Sequence, residues 1–518
     1  MTLNSRGRAI ICISLFILVC LGISPGWAQQ PKYGGVLKIA FASDILRFNL
    51  NQGPPPGYET YWVWNNTHNT LVTLDPDFNI VPDLAEKWDI QEDGRVYVFH
   101  LRKGVKFHDG TDFNAEAVKF NFDRILDPAT KSWVRVFYDQ VDKVEAVDDY
   151  TLRILNKEPS GVLLQALAGY FQGVPVGSPT AIKKYGDDWL RHPVGTGPFI
   201  FKEWAPGERV VLERNPNYFK KGLPYLDRLE FDIMRDPLAA ITALRTGAVD
   251  LVARVTVRNV PLVENVPGIV LRTGPDRAPV IALVNMRHQP FDDLRVRKAV
   301  AGYGIDRAEI ARVVYMGKTK PLVSIIPEGV QDYLDLNELY PYDPAKAKAL
   351  LKEAGYDERN PLRYTIITNN DDPAFADIAA MIKEQLAKIG VEIKIQIMDK
   401  STWLDRVIRR YEFEQTIEDF AGLVDINQRS VSFFPGAPSD YVGLTDQRPA
   451  ELIRQWRRTL DPDGRRKISH EIQRIMAENL YWINICGSPY FQAHRDYVQG
   501  YPFYNELYMF FETAWLRK

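Results

Sequence analysis

The strongest constraint on the fold is a helix that leads directly into a strand between residues 372 and 397. Asp372-Pro373 supplies the cap and the first-turn proline that open a helix, and Gly390 can end it. Residues 391–397 then alternate apolar and polar side chains, which is the period of a strand with one buried face. A helix followed at once by such a strand predicts lobes of α/β type rather than a β-sandwich.

Other segments carry helix and strand signals of the same kind, from cap residues, glycines and period-two alternation. They predict a glycine-led strand over 32–41, a half-buried strand over 95–101, a helix capped by Asn114 that ends before Pro128, a helix that begins with an Asp306 and Glu309 capping box and ends near Gly317, and a helix from Asp343 to Gly355.

The composition is that of an ordinary globular protein with several domains. The chain has 518 residues, of which 46% are hydrophobic and 25% charged. At roughly 150 residues per domain it has room for two to four domains. The 64 basic and 66 acidic residues nearly cancel, so the charge gives no indication of a nucleic-acid partner. This balance excludes a largely disordered chain and a polytopic membrane protein.

The first 28 residues have the pattern of a signal peptide. Two arginines precede an apolar run over 9–23, and small residues stand before a cleavage site after Ala28. An uncleaved anchor is the alternative, but about 15 apolar residues are short for a membrane span. Cys20 is a weak lipoprotein signal, because bulky apolar residues precede it. Cleavage removes Cys12 and Cys20 and leaves Cys486 without an internal disulfide partner, so we expect an exported protein held together by its core.

The usual catalytic motifs are absent from the sequence. There is no G-x-S-x-G elbow and no serine followed three residues later by lysine, which are marks of exported hydrolases and penicillin-binding enzymes. The seven histidines have no zinc-binding spacing. Gly195-Thr196-Gly197 lacks the third glycine of a dinucleotide loop, and His108-Asp109-Gly110 is typical of a turn. We therefore predict no bound cofactor or metal, and the familiar catalytic motifs give no support for an enzyme.

A long series of short motifs runs through the chain. Its first part is LAEKW at 84–88, FHLRKGVKFHDG at 99–110 and FNAEAV at 113–118. It continues with GTGPF at 195–199, RNPNY at 214–218, ALRTGAVD at 243–250 and PFDDLRVRKA at 290–299. In this series the chain resembles the family 5 solute-binding proteins of ABC importers, which include dipeptide, oligopeptide and nickel carriers.

The resemblance implies an α/β fold of the two-lobed periplasmic binding type, a clamp with an extra inserted domain and three domains in all. Residues 1–28 are the signal peptide, and domain II covers 67–189. Domain III covers 278–487. Domain I is discontinuous and consists of 29–66, 190–277 and 488–518. Closure of the lobes on a small ligand changes the outline that a membrane permease recognises, so no covalent chemistry is required.

The resemblance also suggests a residue that binds the amino group of a peptide. In oligopeptide-binding members a carboxylate of the third domain pairs with this group, and Asp425 stands in the matching stretch. Two departures weaken the match, because Leu423 replaces the family tryptophan and Gln428-Arg429 replaces an acidic-proline pair. An ordinary helix-cap or loop aspartate is the alternative for Asp425.

Further pocket residues are carried over from the same resemblance. Trp403 and Arg410 match a tryptophan and an arginine that line the family pocket, although helical packing at this spacing is an alternative. Tyr490 matches a pocket tyrosine, and the end of the first strand, including Ala42 and Ser43, is expected to pair with an extended peptide. A group of aromatic residues beyond the proline-rich loop is expected to pack rather than to stack on a ligand: Tyr58, Tyr61, Trp62 and Trp64.

The sequence thus predicts a monomeric periplasmic solute-binding protein that delivers a small solute, most simply a short peptide, to an ABC permease in the inner membrane. Ligands of another kind remain open, such as an opine, an oligosaccharide, haem or a metal chelate. Direct nickel coordination by histidine finds no support in the sequence. A secreted enzyme with an unrecognised site and a receptor or chaperone without a transport role are the alternatives from other classes.

Overall fold

The structure is a computed structural model of the chain. It describes residues 30–45, 57–168, 172–274, 278–420, 425–437, 439–504 and 508–518. The predicted signal peptide, with Cys12 and Cys20, lies outside the described residues. Cys486 is buried.

The described residues form twenty strands, most of them short. In chain order they are β1 (Val36–Phe41), β2 (Val72–Leu74), β3 (Ile80–Pro82), β4 (Ala85–Gln91), β5 (Val96–Leu101), β6 (Val141–Asp148), β7 (Thr151–Asn156), β8 (Phe199–Ala205), β9 (Arg209–Arg214), β10 (Arg228–Ile233), β11 (Leu251–Val252), β12 (Ile269–Thr273), β13 (Ala278–Val284), β14 (Arg363–Asn369), β15 (Glu392–Met398), β16 (Gln415–Asp419), β17 (Asn484–Ser488), β18 (Phe491–Arg495), β19 (Val498–Gln499) and β20 (Trp515–Leu516).

The helices of the described residues alternate with these strands. They are α1 (Tyr58–Thr67), α2 (Ala115–Leu126), α3 (Leu163–Ala168), α4 (Pro179–Tyr185), α5 (Pro237–Thr246), α6 (Leu294–Arg297), α7 (Arg307–Val314), α8 (Pro344–Glu353), α9 (Pro373–Ala387), α10 (Lys400–Trp403), α11 (Asn427–Ser430), α12 (Arg448–Arg458) and α13 (Pro462–Glu478). Two π-helical segments, Lys298–Tyr303 and Leu404–Arg409, continue α6 and α10.

Two sheets share one apolar core and form lobe 1. A seven-stranded sheet has the order β12-β18-β11-β1-β10-β9-β8, and a four-stranded sheet has the order β4-β5-β7-β6. Leu37 and Phe231 of the first sheet belong to the same buried cluster as Phe99 and Ile154 of the second. Within the seven-stranded sheet β1 runs parallel to both β10 and β11, so all three strands end at one edge.

Lobe 2 is built on a five-stranded sheet with the order β15-β14-β16-β13-β17. All seven residues of β13 are buried, because both faces of this central strand are covered. Val280 packs into one apolar cluster, while Ile281 and Leu283 pack into another that contains residues of α12 and α13. Neighbouring side chains of a strand point to opposite faces, which explains this division.

Two chain crossings join the lobes. One lies between β12 and β13, and the other lies between β17 and β18. The two crossings are in contact, since the Gly274 amide donates a hydrogen bond of 3.0 Å to the Tyr490 carbonyl. The exact limits of the three domains expected from the sequence stay a prediction.

Most of the expected helix ends are confirmed. Asn114, Asp343 and Asp372 each accept a hydrogen bond from a backbone amide at the start of α2, α8 and α9. Gly355 and Gly390 adopt positive φ angles of 92° and 88° just beyond the ends of α8 and α9.

The capping box at α7 is only half formed. Asp306 accepts the Glu309 amide at 2.9 Å, as expected. The Asp306 amide, however, donates to the side chain of Gln385 on α9 at 3.0 Å, and Glu309 accepts from the same side chain. A residue distant in sequence has therefore taken the place of the local partner.

Two strands differ from the expected alternation of burial. Val96 of β5 is buried, although it lies on the same face as the half-buried Val98 and His100. Ile397 of β15 is 55% exposed, since β15 is the edge strand of its sheet. The strands themselves were predicted correctly.

Candidate functional site: the cleft between the lobes

The cleft lies where the carboxyl ends of parallel strands from both lobes meet. In lobe 1, Ala42 and Ser43 follow β1, and Arg254 stands two residues beyond β11. In lobe 2, β14 runs parallel to β15 and β16, and Lys400 and Phe420 follow at their ends. Open α/β sheets bind ligands at the carboxyl ends of their strands. Each lobe therefore presents to the cleft the kind of sheet edge at which such folds bind ligands.

An ion pair joins the two edges directly. Arg254 Nη2 of lobe 1 lies 3.3 Å from Asp419 Oδ2 of lobe 2. The same oxygen accepts a hydrogen bond of 3.0 Å from Ser488, which ends β17 beside the second crossing. The pair crosses the cleft between the lobes, so it forms only when the two edges are close.

Lobe 1 contributes a buried carboxylate beside this pair. Glu59 on α1 is 7% exposed, and burial raises its pKa, while a hydrogen bond from Ser43 and the charge of Arg254 act in the opposite direction. Tyr58 precedes it, and the Arg254 guanidinium lies 6.0 Å from the centre of the Tyr58 ring. Ala42 and Ser43 themselves are exposed at the end of β1.

Lobe 2 contributes a second buried carboxylate at the end of β16. Glu418 is 3% exposed, and burial raises its pKa to about 8 although Lys400 acts in the opposite direction. Lys400 Nζ lies 2.9 Å from Glu418 Oε2, and the Asn369 amide donates to the same carboxylate. The ammonium of Lys400 also lies 4.8 Å from the centre of the Trp403 ring.

Trp403 is buried below this edge of lobe 2. It is 2% exposed and packs in a small apolar cluster with Ile367, Val407 and Phe413. Its indole nitrogen donates to Thr416 Oγ1 at 2.8 Å. Trp403 thus supports Lys400 from beneath, and its role as a ligand contact stays a prediction.

Arg410 lies on a more open surface at the end of the π-helical segment. Its side chain is 50% exposed and forms ion pairs with Asp405 at 2.6 Å and Glu412 at 3.2 Å. These partners occupy the guanidinium, and its role as a ligand contact also stays a prediction.

Tyr490 belongs to the second crossing between the lobes. Its hydroxyl donates to the Ala253 carbonyl, and its ring stacks on Phe503 with centroids 5.8 Å apart. The Tyr490 ring therefore ties the crossing to the end of β11, next to Arg254. A contact with the ligand stays a prediction for this residue.

Asp425 lies at the start of α11, and residues 421–424 before it, including Leu423, lie outside the described part of the chain. Its Oδ1 atom accepts the Asn427 amide at 2.9 Å, as in a helix cap. Its Oδ2 atom is buried and has no hydrogen-bond partner among the described residues. Burial raises the Asp425 pKa, and the positive charge of Arg465 lowers it. One carboxylate oxygen of Asp425 thus caps the start of α11, and the other has no hydrogen-bond partner among the described residues.

A second contact between the lobes lies near Asp425. The Gly161 amide donates to the Arg457 carbonyl at 2.7 Å, and Arg465 Nη1 donates to the Gly161 carbonyl at 2.9 Å. A Cβ atom at residue 161 would lie 2.3 Å from the Thr459 carbonyl oxygen, so only glycine fits. This contact joins the four-stranded sheet side of lobe 1 to α12 and α13.

The aromatic group on α1 packs into lobe 1 as predicted, with one exception. Tyr61, Trp62 and Trp64 are each at most 2% exposed. Tyr58, at the start of the helix, is only half-buried and faces Arg254 of the cleft. The Gly195 and Gly197 turn is likewise structural, because Cβ atoms there would overlap the backbone of Thr67.

The sequence reasoning missed several titratable residues of the cleft. Arg254, Lys400, Glu418 and Asp419 each follow or end a strand, and this position was the signal that could have found them. Arg429 on α11 was noted only as a departure from the family pattern, yet it is 5% exposed and lies 4.4 Å from the centre of the Phe420 ring.

Other kinds of site find no support within the described residues. No group of three or more His, Cys, Asp or Glu side chains there is placed to hold a metal ion. None of the helices described has the length and apolar character needed to cross a membrane. A cavity of about 190 Å³ lies inside lobe 1, away from the cleft, and the Lys220 ammonium on its wall is paired with Glu512 and Asp83.

Comparison with known proteins gives consistent matches over nearly the whole chain. The family described as bacterial extracellular solute-binding proteins, family 5, matches residues 79–423. The glutathione-binding protein GsiB of Shigella flexneri is 28% identical over 454 residues, which cover 86% of this chain and 88% of that protein. The di/tripeptide-binding protein 2 of Pseudomonas aeruginosa is 30% identical over 464 residues, covering 84% and 86% respectively.

A solved structure extends this likeness to the fold. The periplasmic binding protein DppA of Helicobacter pylori, associated with an ABC transporter and solved with the peptide STSA, has a TM-score of 0.82 and 26% identity. The alignment covers 94% of this chain and 99% of that one. The two-lobed α/β fold expected from the sequence is thereby confirmed.

Proposed function

We propose that this chain, which belongs to the bacterial extracellular solute-binding proteins of family 5, captures a short peptide between its lobes and delivers it to an ABC permease. The observation that carries the proposal is the meeting of two strand edges across one cleft, joined by the Arg254–Asp419 pair. The similarity to a di/tripeptide-binding protein and to a peptide-bound DppA supports a peptide as the ligand.

The arrangement supports a clamp mechanism. The two crossings near Gly274 and Tyr490 are the only described connections of the chain between the lobes, so rotation at these points separates the two edges. A ligand that touches both edges favours the closed arrangement by its extra contacts there. The permease then recognises the closed outline. Nothing in this cycle requires bond making or breaking, so we propose a binding protein and not an enzyme.

We propose that the peptide backbone pairs with the exposed end of β1. Ala42 and Ser43 are exposed beyond the last paired residue of that strand, Phe41. The Ser43 amide bonds to the Glu59 carboxylate, so the proposed added strand pairs with the other backbone groups of this segment. The buried ionisable side chains at the strand ends of the two lobes lie on either side of this segment. Trp403, Arg410 and Tyr490 stay in the proposal as residues around the pocket.

We propose that Asp425 receives the amino group of the peptide. The unused Oδ2 atom supports this role, because a buried carboxylate oxygen gains from a charged donor. Arg457 and Arg465 act electrostatically on the same carboxylate: they favour its ionised form, which an ammonium needs, but their positive charges repel the incoming ammonium. The balance between these two effects decides the affinity for a free amino group.

The remaining parts of the proposal concern the mature protein. We propose that cleavage after Ala28 releases it into the periplasm, and that it acts as a monomer with the three-domain division given above. A cleft that closes within one chain needs no partner subunit. No charge pattern of the sequence favours nucleic acid.

The test begins with gentle purification of the exported chain, followed by denaturation and mass spectrometry of the released small molecules. A mixture of short peptides supports the proposal. A single non-peptide compound, such as an opine, would assign the chain to another ligand class within the same fold. Protein that is empty is next titrated with dipeptides and tripeptides by calorimetry, and failure of all of them would refute peptide capture.

A matched pair of ligands tests Asp425. We expect Asp425→Asn to weaken binding of a free peptide by about tenfold or more. The N-acetylated form of the same peptide lacks the charged amine, so wild type and variant should bind it equally. An equal loss for both peptides would mean that Asp425 acts only as the cap of α11.

A further inference from the structure

Arg429 is a buried cation with an unused hydrogen-bonding edge. It lies on α11 and is 5% exposed. Its Nε and Nη2 atoms are buried and have no hydrogen-bond acceptor among the described residues. These two N–H groups form one side of the planar guanidinium, the side that binds a carboxylate with two parallel hydrogen bonds.

The same geometry is present elsewhere in this protein with its partner in place. Arg363 binds Glu392 through Nε at 2.8 Å and Nη2 at 3.0 Å, each to a different carboxylate oxygen. Arg429 presents the same pair of nitrogen atoms without the carboxylate. The difference is that Arg363 is exposed to solvent, whereas Arg429 is enclosed.

Aromatic side chains surround the guanidinium. It lies 4.4 Å from the ring centre of Phe420 and 5.0 Å from that of Trp482. Burial lowers the Arg429 pKa to about 10, and the titratable groups acting on it among the described residues are the phenols of Tyr441 and Tyr58. Cation–π contact compensates only part of the lost hydration of such a cation.

The position of Arg429 connects it to the cleft. Phe420 directly follows β16, whose last residue, Asp419, pairs with Arg254 of lobe 1. Tyr58 belongs to lobe 1 and acts on Arg429 from the other side of the cleft. Arg429 therefore lies beside the cleft, next to the space where a solute is held between the lobes.

We propose that the Nε and Nη2 edge of Arg429 receives a carboxylate of the bound solute. This assignment rests on the proposed function and narrows its substrate class to short peptides that carry a free carboxylate at this point. The solute carboxylate supplies the hydrogen-bond acceptors that the described residues do not provide for Nε and Nη2. Binding therefore pairs a cation that is otherwise buried without acceptors at these two atoms.

Recognition of this kind discriminates strongly against uncharged analogues. A C-terminal amide cannot accept two charge-assisted hydrogen bonds from one guanidinium edge, and its own N–H groups would face a cation. Hydrogen bonds to a charged group in such surroundings correspond to roughly a 10- to 150-fold difference in affinity. The aromatic walls exclude water that would otherwise reduce this difference.

The experiment compares peptide acids with their C-terminal amides. Calorimetry on the full mature chain measures each pair of dipeptides and tripeptides against wild type, Arg429→Lys and Arg429→Met. We expect wild type to prefer the acid at least tenfold. Arg429→Met should bind acid and amide alike, and Arg429→Lys should fall between, because an ammonium keeps the charge but loses the two-bond geometry. Arg363→Gln, an exposed arginine of the same lobe, should leave the preference unchanged.

The outcomes separate this assignment from the function on which it rests. Peptides that bind with equal affinity as acid and amide, in wild type and Arg429→Met, would overturn the role of Arg429 while peptide capture stands. Failure of every peptide to bind would overturn peptide capture and this assignment together. If Arg429→Met keeps both the preference for the acid and the melting temperature of wild type, another residue binds the carboxylate of the peptide, and the assignment to Arg429 is wrong.

Discussion

Two buried arginines of lobe 2 have the same burial and very different surroundings. Arg307 and Arg429 are each 5% exposed, and burial lowers the pKa of each to about 10. Arg307, at the start of α7, donates to the carbonyls of Asn484 and Gly302 at 3.0 Å and 3.1 Å and to that of Ala301. Arg429 has no acceptor at Nε or Nη2 among the described residues.

Hydrogen-bond partners distinguish a structural charge from a charge that is available to a ligand. Ala301 and Gly302 lie in the π-helical segment Lys298–Tyr303, and carbonyls at the end of a helix need donors from outside it. Arg307 supplies those donors, so the cation and the carbonyls satisfy each other. Burial alone does not separate the two arginines, whereas their hydrogen-bond partners do.

The largest effect is expected from Arg307→Met. This change leaves carbonyls of the π-helical segment and of Asn484 without their donor, and we expect the free energy of unfolding to fall by about 3–5 kcal/mol. Urea unfolding of the ligand-free protein, followed by circular dichroism, measures the loss. Arg307→Lys keeps a donor at this place and should lose less. A midpoint equal to that of wild type would show that these hydrogen bonds contribute little.

The second prediction uses a buried carboxyl group of the cleft, Glu418, whose partners are Lys400 and Asn369. Its pKa is about 8 in the folded protein, against an ordinary value of 4.5. The folded state therefore holds a proton that the unfolded state has released, and stability falls as pH rises from 4.5 to 8. The fall is at most about 1.4 kcal/mol for each pH unit in this range.

Urea unfolding at pH 5, 6, 7 and 8 tests this slope. Glu418→Gln removes the titration, so the difference in stability between wild type and variant should change steadily with pH. Glu392→Gln, an exposed carboxylate of the same lobe, is the control and should leave the slope in place. Parallel curves for wild type and Glu418→Gln would mean that Lys400 keeps Glu418 ionised in the folded protein.

The fold could be predicted from the sequence because its signals are local. The caps at Asn114, Asp343 and Asp372 act within one helical turn, and the alternation over 391–397 needs only its own strand. The capping box at Asp306 failed where a distant residue, Gln385, competed for the same amide. Local rules hold until tertiary contacts replace the local partner.

The cleft was less predictable, because its residues meet only through the sheet topology. Arg254 and Asp419 are far apart in sequence, and no spacing rule connects them; the parallel arrangement of β1 with β11 and of β14 with β16 brings them together. The resemblance suggested Asp425 and pointed out the unusual Arg429. It could not show that Arg429 is buried without an acceptor.

The third prediction concerns the charge pair that, unlike Arg429, is satisfied across the cleft. A double-mutant cycle with Arg254→Gln and Asp419→Asn isolates their mutual contribution from the effect of Arg254 on Glu59. We expect a coupling of about 1 kcal/mol in peptide affinity, which is roughly fivefold, because the pair forms only when the lobes approach. The same cycle on Arg363 and Glu392, a pair within one lobe, should show no coupling in affinity. Coupling of zero at the first pair would mean that it does not favour closure.

The smallest change in stability is expected from Arg429→Met in the ligand-free protein. The substitution removes an unsatisfied buried charge, and methionine can pack against Phe420 and Trp482 through its sulfur. Replacing buried charges by apolar residues of similar volume is often neutral or stabilising, so the urea midpoint should stay the same or rise. A large loss of stability would mean that Arg429, like Arg307, is a charge that stabilises the fold. An unchanged or higher midpoint together with the loss of the carboxylate preference is the combination that only a ligand-binding role explains.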